Sequence, residues 1–202
     1  MVPYELQRLT VFTGSSPGRG EAYLRAAHAV GTRIAQRGIG LVYGGGNVGL
    51  MGAVATAARE AGGEVIGVMP EALLNKEIAH DDLTAFEVVP DMHARKMRMA
   101  DLGDGFVALP GGVGTLEEFF EAWTWLQLGI HDKPIALYDV DGFWRPTLAM
   151  IDNLVAEGFV APAFRDGLLV VSDPDELIDR FRAWTPPAPK WPDQATPTAT
   201  LR

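Results

Sequence analysis

The chain of 202 residues has the length of one ordinary domain, and its 48% hydrophobic content is enough to bury a substantial core. The 26 acidic residues outnumber the 17 basic ones, and the net charge of −9 disfavours sequence-independent binding to nucleic acid or to an anionic membrane. The absence of cysteine excludes disulfides, thiolate metal sites and cysteine nucleophiles. No signal-peptide pattern and no apolar run of membrane-spanning length is present, so we expect a cytoplasmic protein.

Apolar runs alternate with amphipathic stretches of helical period from residue 9 onward, which is typical of βα units around a mostly parallel sheet. The sequence predicts one Rossmann-like, doubly wound α/β domain over residues 1–184, with helices flanking the sheet. The Pro- and Thr-rich residues 185–202 are predicted to form a disordered tail. The predicted strands are Arg8 to Thr13, Gly40 to Tyr43, Glu64 to Met69, Ala85 to Val89, Gly105 to Leu109, Pro134 to Tyr138 and Leu168 to Val171.

The first predicted strand ends in a turn-rich loop over residues 13–18, whose hydroxyls and backbone donors suit a phosphate or a sugar. The loop also matches G-x-S-x-G, the pattern of a hydrolase nucleophile elbow. That interpretation is disfavoured, because Ser16 lies in the first βα turn and no earlier strand supplies an oxyanion loop.

The second predicted strand runs into a loop in which Gly44, Gly46 and Gly49 satisfy G-x-G-x-x-G before a helix. The pattern suggests a dinucleotide site, with Glu71 as a weak candidate for the ribose acid. Against this, the fingerprint belongs to the first βα unit of such folds, and a further glycine loop follows at Gly111. Glycines that allow close helix–strand packing are the structural alternative.

Loops at the carboxyl ends of parallel strands share one edge of the sheet, so the three glycine-rich loops should line one crevice. The longer connection, residues 70–84, is predicted to cover this crevice as a lid. His80 lies beside two aspartates in it, but the histidines show no ligand spacing, so a solvated turn is favoured and no metal site is predicted.

A basic segment follows the fourth predicted strand. Three cations, Arg95, Lys96 and Arg98, lie within four consecutive residues, although the chain as a whole is acidic. A solvated helix turn is the simplest interpretation. At the same sheet edge as the Gly111 loop, however, Arg95 and Lys96 can supply charge-assisted hydrogen bonds to a nucleotide.

Residues 106–121 are predicted to form a strand, a Pro-Gly-Gly turn and a helix that opens on Thr115. Gly111, Gly112 and Gly114 let the backbone approach a ligand, and the N–H groups of the first helical turn favour a phosphate. The same residues also form a capping box, with Thr115 as N-cap and Glu118 closing on it, which is a purely structural interpretation.

The helix beyond Glu118 is apolar around much of its circumference, although a surface helix requires only one apolar face. We therefore expect a second subunit to cover part of it in a homodimer. The apolar residues are Phe119, Phe120, Trp123, Trp125, Leu126 and Leu128.

Three motifs in this order resemble those of the LONELY GUY (LOG) family of cytokinin riboside 5′-monophosphate phosphoribohydrolases, long mislabelled as lysine decarboxylases. Residues 110–118 match the family's PGGxGTxxE signature, residues 92–96 its MHxRK element and residues 44–52 its GGGxxGLMG loop. The resemblance spans residues 8–184.

The resemblance implies hydrolysis of the N-glycosidic bond of a nucleoside 5′-monophosphate, which releases an adenine-type base and ribose 5-phosphate. It implies Arg95 and Glu118 as catalytic residues, no metal or organic cofactor, and an active site near the dimer interface. A guanidinium stays protonated, so Arg95 is expected to orient groups rather than act as a base. The implied substrate contacts are Gly111, Gly112, Gly114 and Thr115 for the phosphate, with Lys96, Ser15, Gly45, Gly46 and Thr124 as secondary contacts.

Two other classes of function stay open at the level of sequence. A non-catalytic nucleotide or cofactor carrier can use the same fold and glycine loops. A dinucleotide-dependent oxidoreductase is the third possible class of function. The sequence also leaves open whether adenine or an N6-prenylated adenine is the preferred base, so AMP stays a possible substrate.

Overall fold

The structure is a computed structural model that describes residues 4–74 and 82–190. Its strands are β1 (Arg8–Phe12), β2 (Gly40–Tyr43), β3 (Val65–Pro70), β4 (Ala85–Val89), β5 (Gly105–Ala108), β6 (Ile135–Tyr138) and β7 (Leu169–Val171). Its helices are α1 (Ala22–Gln36), α2 (Gly49–Glu60), α3 (Met92–Leu102), α4 (Val113–Leu128), α5 (Arg145–Ala156), α6 (Pro162–Asp166) and α7 (Pro174–Arg182). A single 3-10 turn covers Glu71–Leu73 in this part of the chain.

The strands form one sheet in the order β4-β3-β2-β1-β5-β6-β7, and every neighbouring pair is parallel. This arrangement confirms the predicted doubly wound α/β fold. The chain moves outward from β1 to β4 and then returns to place β5 on the other side of β1. Because ligands of open parallel sheets bind where the strand order reverses, the β1–β5 boundary is the expected position of a site.

The core lies in two layers because the central strands are buried on both faces. In β2, Leu41 and Tyr43 pack in the layer that contains helices α1, α2 and α7, whereas Val42 packs in the opposite layer. Met99 of α3 and Phe119 of α4 belong to that opposite layer. Helices α3 and α4 therefore cover the same face, which brings their N-terminal halves to one region of the crevice.

The proline-rich segment after α7 lies against the C-terminal end of α4 as far as the structure describes it. The Lys190 N–H donates to the Gln127 carbonyl at 3.3 Å, and Pro189 approaches Gly129, the residue that ends α4 in a left-handed conformation. Residues 191–202, the rest of the predicted tail, lie outside the described residues. The predicted lid falls partly on residues 75–81, including His80, which also lie outside them.

His131 fixes the turn that follows α4. Its Nδ1 accepts a hydrogen bond from the Lys133 N–H at 3.1 Å, so the proton lies on Nε2 and is donated to the Ala122 carbonyl at 2.9 Å. The imidazole also packs on Phe106, with the ring centroids 5.1 Å apart. Burial lowers the pKa of His131 to about 4, and the hydrogen bond to Ala122 only partly opposes this shift.

The low pKa of His131 predicts acid destabilisation. As the pH falls from about 6.5 towards about 4, the unfolded chain binds a proton that the folded chain does not, so stability falls over this window and is fully present above it. We expect the loss of unfolding free energy between pH 7.5 and 5 to be about 2 kcal/mol smaller in His131→Gln than in the wild type. Urea denaturation at the two pH values measures it. An unchanged difference in His131→Gln would contradict the prediction. His28→Gln, at an exposed position of α1, is the matched control.

Candidate active site

A cavity of about 220 Å³ opens at the carboxyl ends of β1 and β5, where the strand order reverses. It brings together the arginine of α3, the glutamate of α4 and two of the three glycine-rich loops. The lining residues are Thr13, Gly14, Ser15, Met51, Arg95, Gly112, Val113, Gly114, Thr115 and Glu118. The site residues predicted from the sequence therefore meet here in large part.

Gly14 holds the loops of the cavity together. Its N–H donates to the Pro110 carbonyl at 3.2 Å, while its carbonyl accepts from the N–H groups of Leu50 and Met51 at 3.0 and 3.3 Å. The N-terminus of α2 is thus directed at Gly14. A pyrophosphate bound in the dinucleotide fashion would require these same N–H groups, so the geometry disfavours the G-x-G-x-x-G interpretation.

The glycines of the second loop serve close packing. Gly49 has a φ of +56°, and a Cβ there would overlap the Ser15 carbonyl. A Cβ at Gly44 would overlap the Arg95 guanidinium. Gly45 and Gly46 are buried and are not among the residues that line the cavity, so the structure does not bring these two predicted substrate contacts into it.

Helix α4 begins at Val113 with Gly112 as its N-cap, and no side chain caps it. The prediction that the helix begins at Thr115 is therefore wrong. The alternative interpretation, a capping box between Thr115 and Glu118, is wrong for the same reason. Thr115 is instead the third helical residue, only 4% exposed, with its side chain against Gly111. The N–H groups of the first turn have no acceptor within the helix, and they lie at an exposed surface suited to an anion.

Arg95 is anchored by the backbone of β3 and of the loop that follows β2. Its Nε donates to the Val68 carbonyl and its Nη2 to the Gly44 carbonyl, both at 3.1 Å. Its Nη1 lies 3.8 Å from Glu118 Oε1. The two side chains are only 7% and 11% exposed. The guanidinium is thus fixed by one edge, while its remaining nitrogen faces the carboxylate.

The orientation of α3 follows from its N-terminus. Asp91 is the N-cap, and its carboxylate accepts from the Ala94 N–H at 2.8 Å. Such a cap stabilises the first turn, the turn that precedes Arg95. The interpretation of the basic residues as a solvated helix turn is correct only for Arg98, whose side chain is 42% exposed and pairs with Glu87.

Lys96 and Thr124 lie outside the cavity lining. The Lys96 ammonium donates to Glu117 and Glu121 of α4, and its side chain is 8% exposed. Burial opposes the charged form of Lys96, but the hydrogen bonds that its ammonium donates to the two carboxylates outweigh this effect and raise its pKa. The Thr124 hydroxyl donates to the Phe120 carbonyl at 2.7 Å, one turn earlier in α4.

A second cavity, of about 190 Å³, lies on the other side of the Gly111–Gly112 turn. Tyr23, Leu50, Phe143 and Ser16 contribute to its lining. Among residues 4–74 and 82–190, no histidine lines either cavity, so this part of the chain offers Ser16 no base of the kind that a nucleophile elbow requires.

Four residues that line the first cavity were not among the predicted site residues: Thr13, Gly14, Met51 and Val113. Thr13 and Gly14 belong to the loop over residues 13–18 that the sequence already indicated, whereas Met51 and Val113 carry no chemical signal. Across residues 4–74 and 82–190, no group of three or more His, Asp or Glu side chains is arranged to hold a metal. Within the same ranges, no helix is both long enough and apolar enough to cross a membrane.

The fold and the cavity define a class of protein: a parallel α/β domain with an exposed helix N-terminus at its switch point and a largely buried Arg–Glu pair beside it. The profile of a family described as "Possible lysine decarboxylase" matches residues 51–181. The chain is 49% identical over 176 residues to the cytokinin riboside 5′-monophosphate phosphoribohydrolase of Rhodococcoides fascians, covering 87% of this chain and 89% of that one. It is 46% identical over 186 residues to the probable enzyme LOGL2 of Oryza sativa subsp. japonica, covering 92% and 76%. The chain belongs to the LONELY GUY family of cytokinin riboside 5′-monophosphate phosphoribohydrolases.

Solved structures of similar fold include the molybdenum cofactor binding protein of Rippkaea orientalis, with a TM-score of 0.67 and 23% identity over 89% of this chain and 97% of that one. The Moco carrier protein of Chlamydomonas reinhardtii gives a TM-score of 0.65 and 24% identity, covering 87% and 94%. At these identities the similarity concerns the fold alone.

Proposed function

We propose that the protein hydrolyses the N-glycosidic bond of cytokinin riboside 5′-monophosphates, and of AMP as a related substrate, to the free base and ribose 5-phosphate. One observation carries the proposal: a buried carboxylate, Glu118, shares a cavity with the exposed N-terminus of its own helix. A phosphate and a glycosidic carbon of the same small molecule can therefore be held at once. The names of the relatives support the same reaction.

The phosphate rests on the first turn of α4. The N–H groups of Gly112, Val113, Gly114 and Thr115 are directed out of the helix, and the helix dipole adds a favourable potential for a dianion. Gly112 and Gly114 allow the close approach, since a Cβ at either position would meet open space that the phosphate then fills. This contact explains a requirement for the 5′-monophosphate over the nucleoside.

Glu118 acts at the anomeric carbon. Hydrolysis breaks the bond between this carbon and the base nitrogen and forms a bond to a water oxygen, while the ribose passes through an oxocarbenium-like state. A carboxylate beside it stabilises the positive charge and can accept the proton of the attacking water. The departing base gains one proton and the ribose gains the hydroxyl, so the reaction consumes one water. A guanidinium does not give up its own proton, so Arg95 orients Glu118 and donates a hydrogen bond to the departing base.

No cofactor takes part in this proposal, because hydrolysis consumes only water. The decarboxylase description of the family profile would require a lysine that binds pyridoxal phosphate. Lys96 donates to two carboxylates, and the Lys133 ammonium donates to the Ala100 and Gly103 carbonyls at 2.6 and 2.7 Å. Neither lysine is placed for that chemistry.

The reaction is tested by chromatography of free base after the purified protein has been incubated with isopentenyladenosine 5′-monophosphate, AMP or isopentenyladenosine. We expect base from the monophosphates but not from the nucleoside, and the ratio between the two monophosphates ranks the bases. AMP that binds without release of base from any substrate would favour a carrier or binding module.

We propose a homodimer that covers part of α3 and α4 near this cavity. Exposed apolar side chains support it, among them Met92, Met97, Val113 and Leu128 with 39%, 46%, 84% and 44% exposure. Val113 also lines the cavity, so a partner at this surface would adjoin the active site. The cytoplasmic location stays a prediction.

Light scattering after size exclusion tests the assembly. We expect a mass of twice the 21.8 kDa of the chain, and a monomer for Leu128→Glu, because the charge would be buried in the interface. Met150→Glu, on the equally exposed surface of α5, should leave the mass unchanged. A monomeric wild type would contradict the proposal.

A further inference from the structure

The second cavity lies at the same edge of the sheet as the active site. Its volume is about 190 Å³, and it is enclosed by the loop after β1, the Gly111–Gly112 turn and the loop after β6. Tyr23, Leu50 and Phe143 supply its apolar walls. Within the described ranges, no charged side chain contributes to the lining. A neutral ligand therefore suits this cavity better than a phosphate, whose charge would be desolvated there without a partner.

The two aromatic rings of the cavity are held in place by their surroundings. Tyr23 and Phe143 meet edge to face, with centroids 5.7 Å apart and planes at 75°. The Tyr23 ring lies against Gly18, whose φ is +73°, and a Cβ at Gly18 would overlap the ring. The Phe143 ring packs edge-on against the buried Trp144, with centroids 4.9 Å apart. The aromatic walls are therefore preformed.

The loop that carries Phe143 is also fixed by its own hydrogen bonds. The Asp139 carboxylate accepts from the N–H groups of Gly142 and Trp144, both at 2.9 Å. Asp141 has a φ of +53°, a left-handed conformation that is uncommon for a residue other than glycine. Such a conformation persists where the surrounding contacts enforce it, and it is frequent at ligand sites.

The second cavity adjoins the phosphate end of the proposed substrate. Gly14, Ser15 and Gly112 line both cavities. Gly112 belongs to the proposed phosphate contact, whereas Glu118 lies six residues further along the chain, about 9 Å of helix. The base of a bound monophosphate is attached at the anomeric carbon beside Glu118, so it lies at the opposite end of the nucleotide. A ring bound in the second cavity is therefore a separate molecule.

We propose that the second cavity binds a free purine base, the neutral product of the proposed hydrolysis. The inference rests on that proposed function, which generates such a base next to the cavity. The volume is below the roughly 300 Å³ at which pockets for drug-sized ligands begin, so it fits a bicyclic ring and not a nucleotide. Every base has a π-face that can stack on aromatic side chains. Ser16 adds a hydroxyl to the lining, which can donate to a ring nitrogen.

Calorimetry with adenine tests the proposal on wild-type protein that is saturated with the carbocyclic analogue of AMP. This analogue lacks the ring oxygen that an oxocarbenium-like state requires, so it fills the first cavity, base position included, without turnover. We expect one further adenine to bind per chain. In Phe143→Ala the adenine dissociation constant should rise about tenfold or more, because one stacking partner is lost.

Two comparisons separate this effect from general damage to the fold. Phe143→Ala should bind the carbocyclic analogue within about twofold of the wild-type affinity, because Phe143 is not among the residues that line the first cavity. Phe159→Ala is the matched control: this phenylalanine is 76% exposed after α5 and lines neither cavity, so adenine should bind as in the wild type. If Phe143→Ala does not fold, Tyr23→Leu removes the other aromatic wall and keeps an apolar side chain.

Two results would overturn the proposal. One is a saturated wild type that binds no adenine, which would confine base binding to the first cavity. The other is wild-type adenine affinity in both Phe143→Ala and Tyr23→Leu. A wild type that releases no base from any monophosphate would instead remove the proposed function, whereas the adenine titration needs no turnover and would still test the cavity.

Discussion

Glu118→Gln is expected to lower kcat for base release by about 1,000-fold or more, with the fold and AMP binding retained. The amide has the size of the carboxylate but carries no negative charge to stabilise an oxocarbenium-like ribose. It is also too weak a base to take a proton from the attacking water. The start of α4 should be unaffected, because Gly112 is the N-cap and no side chain caps the helix.

The measurement combines base release from isopentenyladenosine 5′-monophosphate with thermal unfolding and AMP calorimetry. Glu157→Gln, at the exposed end of α5, is the control for the loss of one acidic charge and should match the wild type. Wild-type turnover in Glu118→Gln would remove this residue from the mechanism. Loss of the fold with loss of turnover would instead assign Glu118 a structural role.

Arg95→Lys is expected to reduce kcat about 100-fold or more and to lower the unfolding free energy by about 1–3 kcal/mol. Lysine keeps the positive charge but lacks the planar fork that reaches the Val68 and Gly44 carbonyls and Glu118 together. At least one buried acceptor then loses its partner, and the carboxylate loses its fixed neighbour.

Urea denaturation and base release, measured on the same preparation, test both parts of this expectation. Arg98→Lys is the matched control, because Arg98 lies on the same helix, is 42% exposed and pairs with Glu87. An exposed pair contributes little, so both quantities should stay close to the wild-type values. Full turnover in Arg95→Lys would show that charge alone is sufficient at this position.

The strands could be predicted closely because central parallel strands are buried on both faces and read as continuous apolar runs. The bounds of β2 and β4 match the prediction, and those of the other strands differ by no more than one residue at either end. The order of the strands could not be obtained from these runs. The sequence did predict that the loops after the strands share one edge of the sheet, because the carboxyl ends of parallel strands all lie on the same side.

The parts of the site that were not predicted depend on tertiary contacts. Thr115 and Glu118 have the spacing of a capping box, and this local pattern hid the earlier start of α4, which Gly112 permits. The second glycine loop looked like a phosphate site because its sequence does not reveal that the Gly14 carbonyl occupies the N-terminus of α2. The partners of Lys96 belong to another helix, so spacing within the chain carried no sign of them.

The double anchorage of Arg95 has an evolutionary consequence. Its hydrogen bonds tie α3 to Val68 within β3 and to Gly44 just after β2, so selection for a folded protein alone is sufficient to keep the arginine. A descendant that lost hydrolysis and kept only nucleotide binding would therefore retain it. In such a lineage, Glu118 would be substituted before Arg95 once hydrolysis was lost. Retention of Arg95 would therefore say little about whether a relative turns over its nucleotide.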